Sequence, residues 1–526
     1  MTKLTKINIR EKIGYALGDG AANIAWRGVA TYLIVFYTDV FGLAPAAVGL
    51  LMLIARSGDG LSDILMGIVG DRTKSKFGKF RPWILWTAIP LGIMLSLLFT
   101  APNLSPNGKL AYAYITYIIF TLVYTANNIP YGALMAVMTV DDKERTSIGS
   151  YRMVGAFAGG MLVQGALLYL VAHFGNVNPS ITVAPLNESQ CIVTLSTDKD
   201  VENAGLSTKD GLTYFYQYNK EDAQKQISFS MIAEEAYQFF STSEEIKLQK
   251  SDIQLIDQSK GYSQSMYALS IILAICLLIT FFSTKERIVS APKEESNLKS
   301  DFHDLIRNKP WIILLCIGLL FNIYNSIKQG ITVIYFTHYL HNQLLAASFM
   351  VGLTMASIFG AMITTPLARR WGKRNLFVYA LLFSAAVNAL LIFCATEDIT
   401  AIFAIGIISE FAAAIFPTLF FAMLGDVADY SEWKNGRRAT GLIYSAGSFA
   451  TKFGGGIAGA IIGLVLSAFA YNGQNPASIE GAIPGIKMLM SWIPSIVAVI
   501  GAFIMSLYPL NQEKMNIITH DLKERR

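Results

Sequence analysis

The chain has 526 residues, 53% hydrophobic and 15% charged, with a mean hydropathy of +0.44 and a formal net charge of +5. A soluble globular protein of this length seldom shows such values, so the composition points to an all-α membrane protein that crosses the bilayer many times. Of the four cysteines, Cys276, Cys316 and Cys394 lie in apolar runs and Cys191 stands alone in a loop, a pattern from which no disulfide framework or metal-spacing motif follows.

The first residues, MTKLTKINIREK, are polar and lead into a full-length apolar run without a signal peptide's cleavage pattern, which predicts a cytoplasmic N-terminus. Runs long enough to span occur at 13–38, 47–70, 83–100, 111–138, 148–174 and 264–282. A second six follow at 311–335, 345–368, 376–395, 402–424, 441–470 and 486–508. Lys and Arg crowd alternate short loops (72–81, 143–145, 369–374 and 434–438), while the opposite short loops hold almost none. This positive-inside pattern accounts for the net charge, leaves no role for nucleic acid as a partner, and puts both termini on the cytoplasmic side.

Span two is the most informative. Asp59 and Asp63 are one helical turn apart and share a face, with Arg56 three residues earlier on that face. Counting about 1.5 Å per residue back from Arg72 puts Asp63 about 13 Å and Asp59 about 20 Å from the boundary of a core about 30 Å thick. An ionised group at that depth costs about 2.5–3.5 kcal/mol, so it is expected to face a cavity, find partners and serve function. Paired carboxylates favour a hard cation or a proton.

Between spans five and six lies a polar stretch, 175–263, with 13 acidic and 7 basic residues. It is expected outside the cell as a solvated insertion, with strand-like alternation at 191–195 and 212–218 and a helical pattern at 233–248. The expected organisation is therefore 1–174 with spans one to five, the insertion 175–263, span six at 264–284, a cytoplasmic linker at 285–309, a second bundle at 310–510 and a cytoplasmic tail at 511–526. An internal repeat supports two six-helix halves. Gly78-Lys79 is echoed by Gly372-Lys373, an offset of 372 − 78 = 294, and Arg145 by Arg438, an offset of 438 − 145 = 293. Parallel six-helix repeats describe the major facilitator fold, with its site at mid-membrane between the halves.

Such a site should collect polar residues at one depth, and Asn23, Arg27, Asn128 and Lys452 all fall about 16–23 Å from the cytoplasmic side, the level of Asp59. Pro130 after Asn128 can kink its span. Arg152 opens span five, where snorkelling and a cavity-facing role are both open, and the intramembrane charges Lys328 and Glu410 could pair structurally or touch substrate.

With these residues in hand the chain resembles the glycoside–pentoside–hexuronide cation symporters, the melibiose permease family of the major facilitator superfamily. The resemblance covers nearly everything except the insertion. Its motifs here are Gly18-Asp19 with Asn23 leading to Tyr37-Thr38-Asp39-Val40; Asp59-x3-Asp63; Gly78-Lys79-Phe80-Arg81-Pro82-Trp83; Asn128-Ile129-Pro130-Tyr131; and Asp429-Tyr430 with Trp433-Lys434. It implies twelve transmembrane helices in two pseudo-symmetric bundles and a bacterial inner-membrane location. It also implies a cation site on Asp59 and Asp63, with Thr125 and Ser62 adding oxygens, and a sugar site around Asn23, Asn128, Arg152 and Lys452, to which the sequence adds Arg27. Sodium suits the oxygen set, with a proton or lithium as alternatives. Ala22, Asn23, Asn128 and Gly132 stand where melibiose permease has a lysine, two aspartates and a tryptophan. Losing two carboxylates while carrying Arg27 suggests an acidic glycoside beside the neutral ones.

The expected activity is symport of a sugar with a cation by alternating access, with no enzymatic chemistry and no cofactor. Asp71, Arg72, Lys79 and Arg81, opposite Arg369, Arg370, Lys373 and Arg374, are expected to close the cytoplasmic side through ion pairs. The rivals are a proton-coupled sugar symporter and a lipid transporter on the same fold.

Overall fold

The computed structural model describes residues 7–139, 141–177, 180–185, 190–196, 204–208, 213–216, 226–232, 253–287, 307–435 and 440–525. The first half is built from α1 (Ile9–Val35), α2 (Pro45–Arg72), α3 (Arg81–Leu98), α4 (Pro106–Met138), α5 (Asp142–Phe174) and α6 (Gln258–Ser283). The second half is built from α7 (Lys309–Ile334), α8 (Gln343–Trp371), α9 (Lys373–Ala389), α10 (Ile399–Ala413), α11 (Ile415–Asn435), α12 (Thr440–Ala468), α13 (Pro476–Met490) and α14 (Trp492–Ser506). A last helix, α15 (Gln512–Arg525), packs back on α11, where the Trp433 indole donates to Asp521 at 2.8 Å. Short polar side chains start these helices: Ser105 accepts from Gly108 N, Asn308 from Trp311 N and Asn342 from Leu345 N, each satisfying an otherwise orphaned amide.

Nine helical stretches among the described residues are long and apolar enough to cross a membrane, α10 with α11 and α13 with α14 each counting as one. Adding α1, α2 and α12 gives twelve passes. α1 and α2 are the more polar passes: they carry Asp19, Asn23 and Arg27, and Arg56, Asp59 and Asp63. Large apolar side chains on the outside of the bundle, such as Ile115, Phe282, Phe393 and Phe503, are exposed as a lipid-facing surface requires.

The halves repeat one another. α1 ends in a π-helical turn, Phe36–Val40, and α7 in another, Tyr335–Tyr339, an offset of 335 − 36 = 299. Leu43 N donates to Tyr37 O at 2.8 Å and Asn342 N to Phe336 O at 2.9 Å, the same bond at the same offset. Gly78 and Gly372, the echoing loop glycines, both adopt positive φ (+106° and +76°), which side chains with a Cβ rarely tolerate.

The apolar core is continuous between the halves on the side where both π-turns lie, joining Tyr37, Phe36 and Met52 to Tyr335, Phe336 and Phe349. A second cluster around Leu314, Phe377, Phe416 and Met423 belongs to the second half alone. α2 and α12 approach closely: a Cβ on Gly49 would stand 2.8 Å from the Gly459 carbonyl.

Beyond α5 the described residues form seven short strands, β1 (Asn176–Val177), β2 (Ser180–Pro185), β3 (Gln190–Ser196), β4 (Ala204–Thr208), β5 (Thr213–Tyr216), β6 (Gln226–Ile232) and β7 (Ile253–Asp257). They make two antiparallel sheets, β1-β7-β4-β5 and β2-β3-β6. Strands β3 and β5 fall on the two alternating runs at 191–195 and 212–218; the helical pattern at 233–248 lies outside the described residues. Pairing of Asn176 with Ile256 ties the exit from α5 to the entry into α6.

Candidate functional site

The two carboxylates of α2 face into the bundle. Asp59 is 4% exposed, and Asp63 is reached from two other helices. Thr125 Oγ1 of α4 donates to Asp63 Oδ1 at 3.2 Å, and the Lys452 ammonium of α12 pairs with Asp63 Oδ2. That last contact joins the two halves. Asp59 is held by Arg56, whose Nη1 lies 3.9 Å from Asp59 Oδ2, near enough for charge attraction and too far for a hydrogen bond. Among the described residues no hydrogen bond reaches the Asp59 carboxylate, an unusual state for a buried acid. Ser62 spends its hydroxyl proton on the Asp59 carbonyl at 2.9 Å, which leaves its lone pairs free. Asp59, Asp63, Thr125 and Ser62 all carry oxygen donors, the ligand type that a small hard cation takes.

Arg56 is the bridge from this pair to a central cavity. Its guanidinium stacks 3.8 Å above the Trp26 ring and lines a cavity of about 210 Å³ between the halves. α1 contributes Asn23, Trp26 and Arg27; α7 contributes Asn322, Asn325, Ser326 and Gln329; and Gly455 and Gly459 of α12 leave room beside them. Asn23 Nδ2 donates to the Asp19 carbonyl at 2.9 Å, leaving its own carbonyl to the cavity. Arg27 makes no hydrogen bond or ion pair among the described residues.

Of the sequence-derived sugar residues, Asn23 and Arg27 line this cavity, and Asn128, Arg152 and Lys452 do not. Asn128 is half-buried beside Asn127, which donates to Thr87 Oγ1 at 2.7 Å. Arg152 Nη2 lies 3.4 Å from Asp19 Oδ1 with its guanidinium 5.5 Å from the Tyr131 ring, so α5 and α1 are joined inside the first half.

Of the loop charges expected to form a gate, Arg81, Lys373 and Arg374 find partners inside their own halves. Arg81 donates to the Phe281 carbonyl at 2.7 Å, and Glu286 accepts from the backbone amides of Lys79, Phe80 and Arg81. Lys373 pairs with Asp426 at 2.7 Å, and Arg374 donates to the Ser506 carbonyl. Arg72, Arg369 and Arg370 are exposed in the last turns of α2 and α8. The side chain of Asp71 lies outside the described residues.

Two further polar clusters complete the interior. In the second half the Lys328 ammonium donates to Tyr324 Oη (3.3 Å) and Ser409 Oγ (3.1 Å) and lies 3.6 Å from Glu410, to whose other oxygen Ser357 donates at 2.9 Å. Lys328 and Glu410 therefore pair with each other. At the insertion-side end, the two π-turns meet: His338 Nε2 is 2.8 Å from Asp39 Oδ2, while Tyr471 and Thr38 donate to Asp39 Oδ1 at 2.8 and 2.6 Å. Sequence reasoning missed this latch and the α7 amides. Polar residues at 322, 325, 326 and 329, spaced i, i+3, i+4, i+7, were the available signal for the latter.

Residues 14–215 and 226–512 match the family described as MFS/sugar transport protein. The chain is 30% identical over 524 residues to the putative glycoside/cation symporter YagG of Escherichia coli (strain K12), covering 99% of this chain and 96% of that one. It is 29% identical over 518 residues to the isoprimeverose transporter of Lactiplantibacillus pentosus, covering 98% and 91%. Among solved structures, a bacterial homologue of the human lysosomal transporter Spinster superposes with a TM-score of 0.63 at 14% identity, covering 95% of this chain and 96% of that one, which speaks to the fold. The chain therefore belongs to the MFS/sugar transport family, in its branch of glycoside–pentoside–hexuronide cation symporters, and is a multi-pass membrane transporter rather than an enzyme.

Proposed function

We propose that the protein imports a glycoside, pentoside or uronide together with a cation, sodium in the first place, by alternating access across a bacterial inner membrane. The observation that carries this reading is the charge chain from the oxygen set to the cavity: Lys452–Asp63 across the halves, then Asp59–Arg56 to the cavity wall. A cation entering beside Asp59 competes with Arg56 and Lys452 for the carboxylates. Releasing Arg56 changes the charge and shape of the wall that sugar touches, so each ligand alters the other's affinity, reciprocally and by about 1–3 kcal/mol in coupled systems of this kind. One positive charge moved inward gains about 2.3 kcal/mol per 100 mV, so membrane potential adds to the ion gradient.

Asn23 and Arg27 hold the sugar on the cavity's first-half wall, with Asn128, Arg152 and Lys452 completing the site in other steps of the cycle. The insertion and the Asp39–His338 latch lie outside, and the latch closes the outer path. The cytoplasmic path closes when Asp71, Arg72, Lys79 and Arg81 meet Arg369 to Arg374 with their acidic neighbours. The bundles at 1–174 with 264–284 and at 310–510 rock as units, joined by 285–309, with 511–526 as a cytoplasmic tail. The polar amides of the cavity favour a hydroxylated cargo over a lipid.

The test is uptake into proteoliposomes under sodium, lithium or pH gradients with a panel of glycosides. Stimulation by sodium at fixed pH supports the reading; stimulation by a proton gradient alone reassigns the carboxylates to a shared proton. Arg27, opening to the cavity without a bonded partner, favours a second reading in which the cargo carries an acidic group. Uptake of methyl β-glucoside in preference to methyl β-glucuronide removes it.

A further inference from the structure

We infer that the amide ladder of α7, Asn322, Asn325, Ser326 and Gln329, is the specificity-determining wall of the cavity, reading the hydroxyl pattern of the same sugar ring that the first half holds. The inference rests on the sugar-transport reading above and adds residues from the other half of the molecule. These four positions share one face of α7 and line the cavity opposite Asn23, Trp26 and Arg27. From the first to the last they cover about 10 Å of helix, enough to run along a pyranose ring and its glycosidic bond.

Their hydrogen bonds are arranged in pairs. Ser326 Oγ donates to Asn322 Oδ1 and Gln329 Nε2 donates to Asn325 Oδ1, both at 3.1 Å. Each pair fixes one amide plane. The Nδ2 groups of Asn322 and Asn325 and the Oε1 of Gln329 are left without protein partners among the described residues. The wall thus offers two oriented amide groups and a carbonyl, and no charge, which suits hydroxyls that both donate and accept.

The size of the cavity makes contact with this wall unavoidable. At about 210 Å³ it is smaller than the roughly 300–1,000 Å³ typical of pockets for drug-sized ligands, so a ring seated on Asn23 and Arg27 also touches α7. Gly455 keeps that space open: a Cβ there would meet Ser326 Oγ at 3.5 Å and Asn322 Oδ1 at 3.6 Å. A hydroxyl missing from the ring would leave a fixed amide unpaired, which is how such walls discriminate.

The experiment uses the full chain in proteoliposomes with radiolabelled isoprimeverose, methyl β-xyloside, methyl β-glucoside and methyl β-glucuronide. Competition by the deoxy analogues of whichever probe is best transported follows. Asn322→Ala, Asn325→Ala and Gln329→Ala are each expected to raise KM about tenfold with the maximal rate kept, the loss of one hydrogen bond. For each variant one deoxy analogue should lose its penalty, because its missing hydroxyl is the one that the amide read. Variants with unchanged KM, or with the same penalty for every analogue, overturn the inference while sodium-driven uptake by the wild type leaves the symport reading standing. A wild type that moves none of the four probes under any gradient sinks that reading, and the inference with it. Melting temperatures of the purified variants distinguish a misfolded wall from a lost contact.

Discussion

Two of the buried charge clusters among the described residues, one around the carboxylates of α2 and one around Lys328 of α7, are built differently. Asp63 of α2 takes its cation from the opposite half, while among the described residues the Asp59 carboxylate accepts no hydrogen bond and its neighbour Arg56 opens onto the cavity. Lys328 and Glu410 close on each other, with Tyr324, Ser409 and Ser357 supplying the rest, all from the second half. A pair satisfied within one rigid bundle holds that bundle together. A pair shared between bundles must be remade whenever they move, so it can carry coupling. Position relative to the half boundary, more than burial, separates the two.

The largest expected effect tests both arms at once. Asp59→Asn should keep the fold and lose cation-driven accumulation about 100-fold, within the range of strong coupling. Glu410→Gln should strand a buried ammonium and cost about 3–5 kcal/mol of stability. Uptake assays and thermal melting of the same two proteins read the contrast; normal sodium-dependent accumulation by Asp59→Asn would break it. A double variant, Lys328→Met with Glu410→Gln, sharpens the comparison, since replacing both partners of a buried pair is expected to restore most of the melting temperature and leave the cation dependence of uptake intact.

Next in size is Lys452→Met, which leaves Asp63 without its cross-half partner. About a tenfold weaker mutual dependence of sugar and cation binding is expected, measured by calorimetric titration of one with and without the other. The latch offers an independent check because it too crosses the boundary: Asp39→Asn removes the charge on which His338, Tyr471 and Thr38 converge. Faster hydrogen exchange confined to residues 36–40 and 335–339, with transport altered more than melting, would place it with the coupling charges. Melting altered more than transport would move it to the structural group.

The smallest effect concerns a pair at the starts of α1 and α5. The hydrogen bond from Lys12 holds the Glu144 carboxyl below its ordinary value of 4.5. A lowered pKa in the folded state means that the contribution is present above the ordinary value and disappears as pH falls through the lowered one. Glu144→Gln should therefore flatten the acid side of the melting curve slightly and leave uptake at neutral pH unchanged. This is the outcome for a pair confined to one half and remote from the cavity.

Much of this architecture was legible in the chain itself. Hydrophobic runs of bilayer length mark the passes, because only a helix can satisfy its own backbone in lipid. The i, i+4 spacing of Asp59 and Asp63 marks an acidic pair on one face of α2 that turns into the bundle, because acids are not stranded against lipid. The echo of Gly78 by Gly372 reports a duplicated half, since a positive φ at one loop recurs at the other. The family likeness rests on these same residues.

Partnerships were decided elsewhere. That Lys452 would meet Asp63, that Lys328 would meet Glu410, and that Asp39 would find His338 and Tyr471 all depend on helices far apart in the chain. A single helix's periodicity tells which face is polar, not which face of another helix it meets. The α7 amides show the same limit, for their spacing was visible and their place opposite Asn23 and Arg27 was not. Helix propensity and hydropathy are local properties that each segment carries alone, whereas a pocket is made by packing, and only the folded bundle brings its walls together.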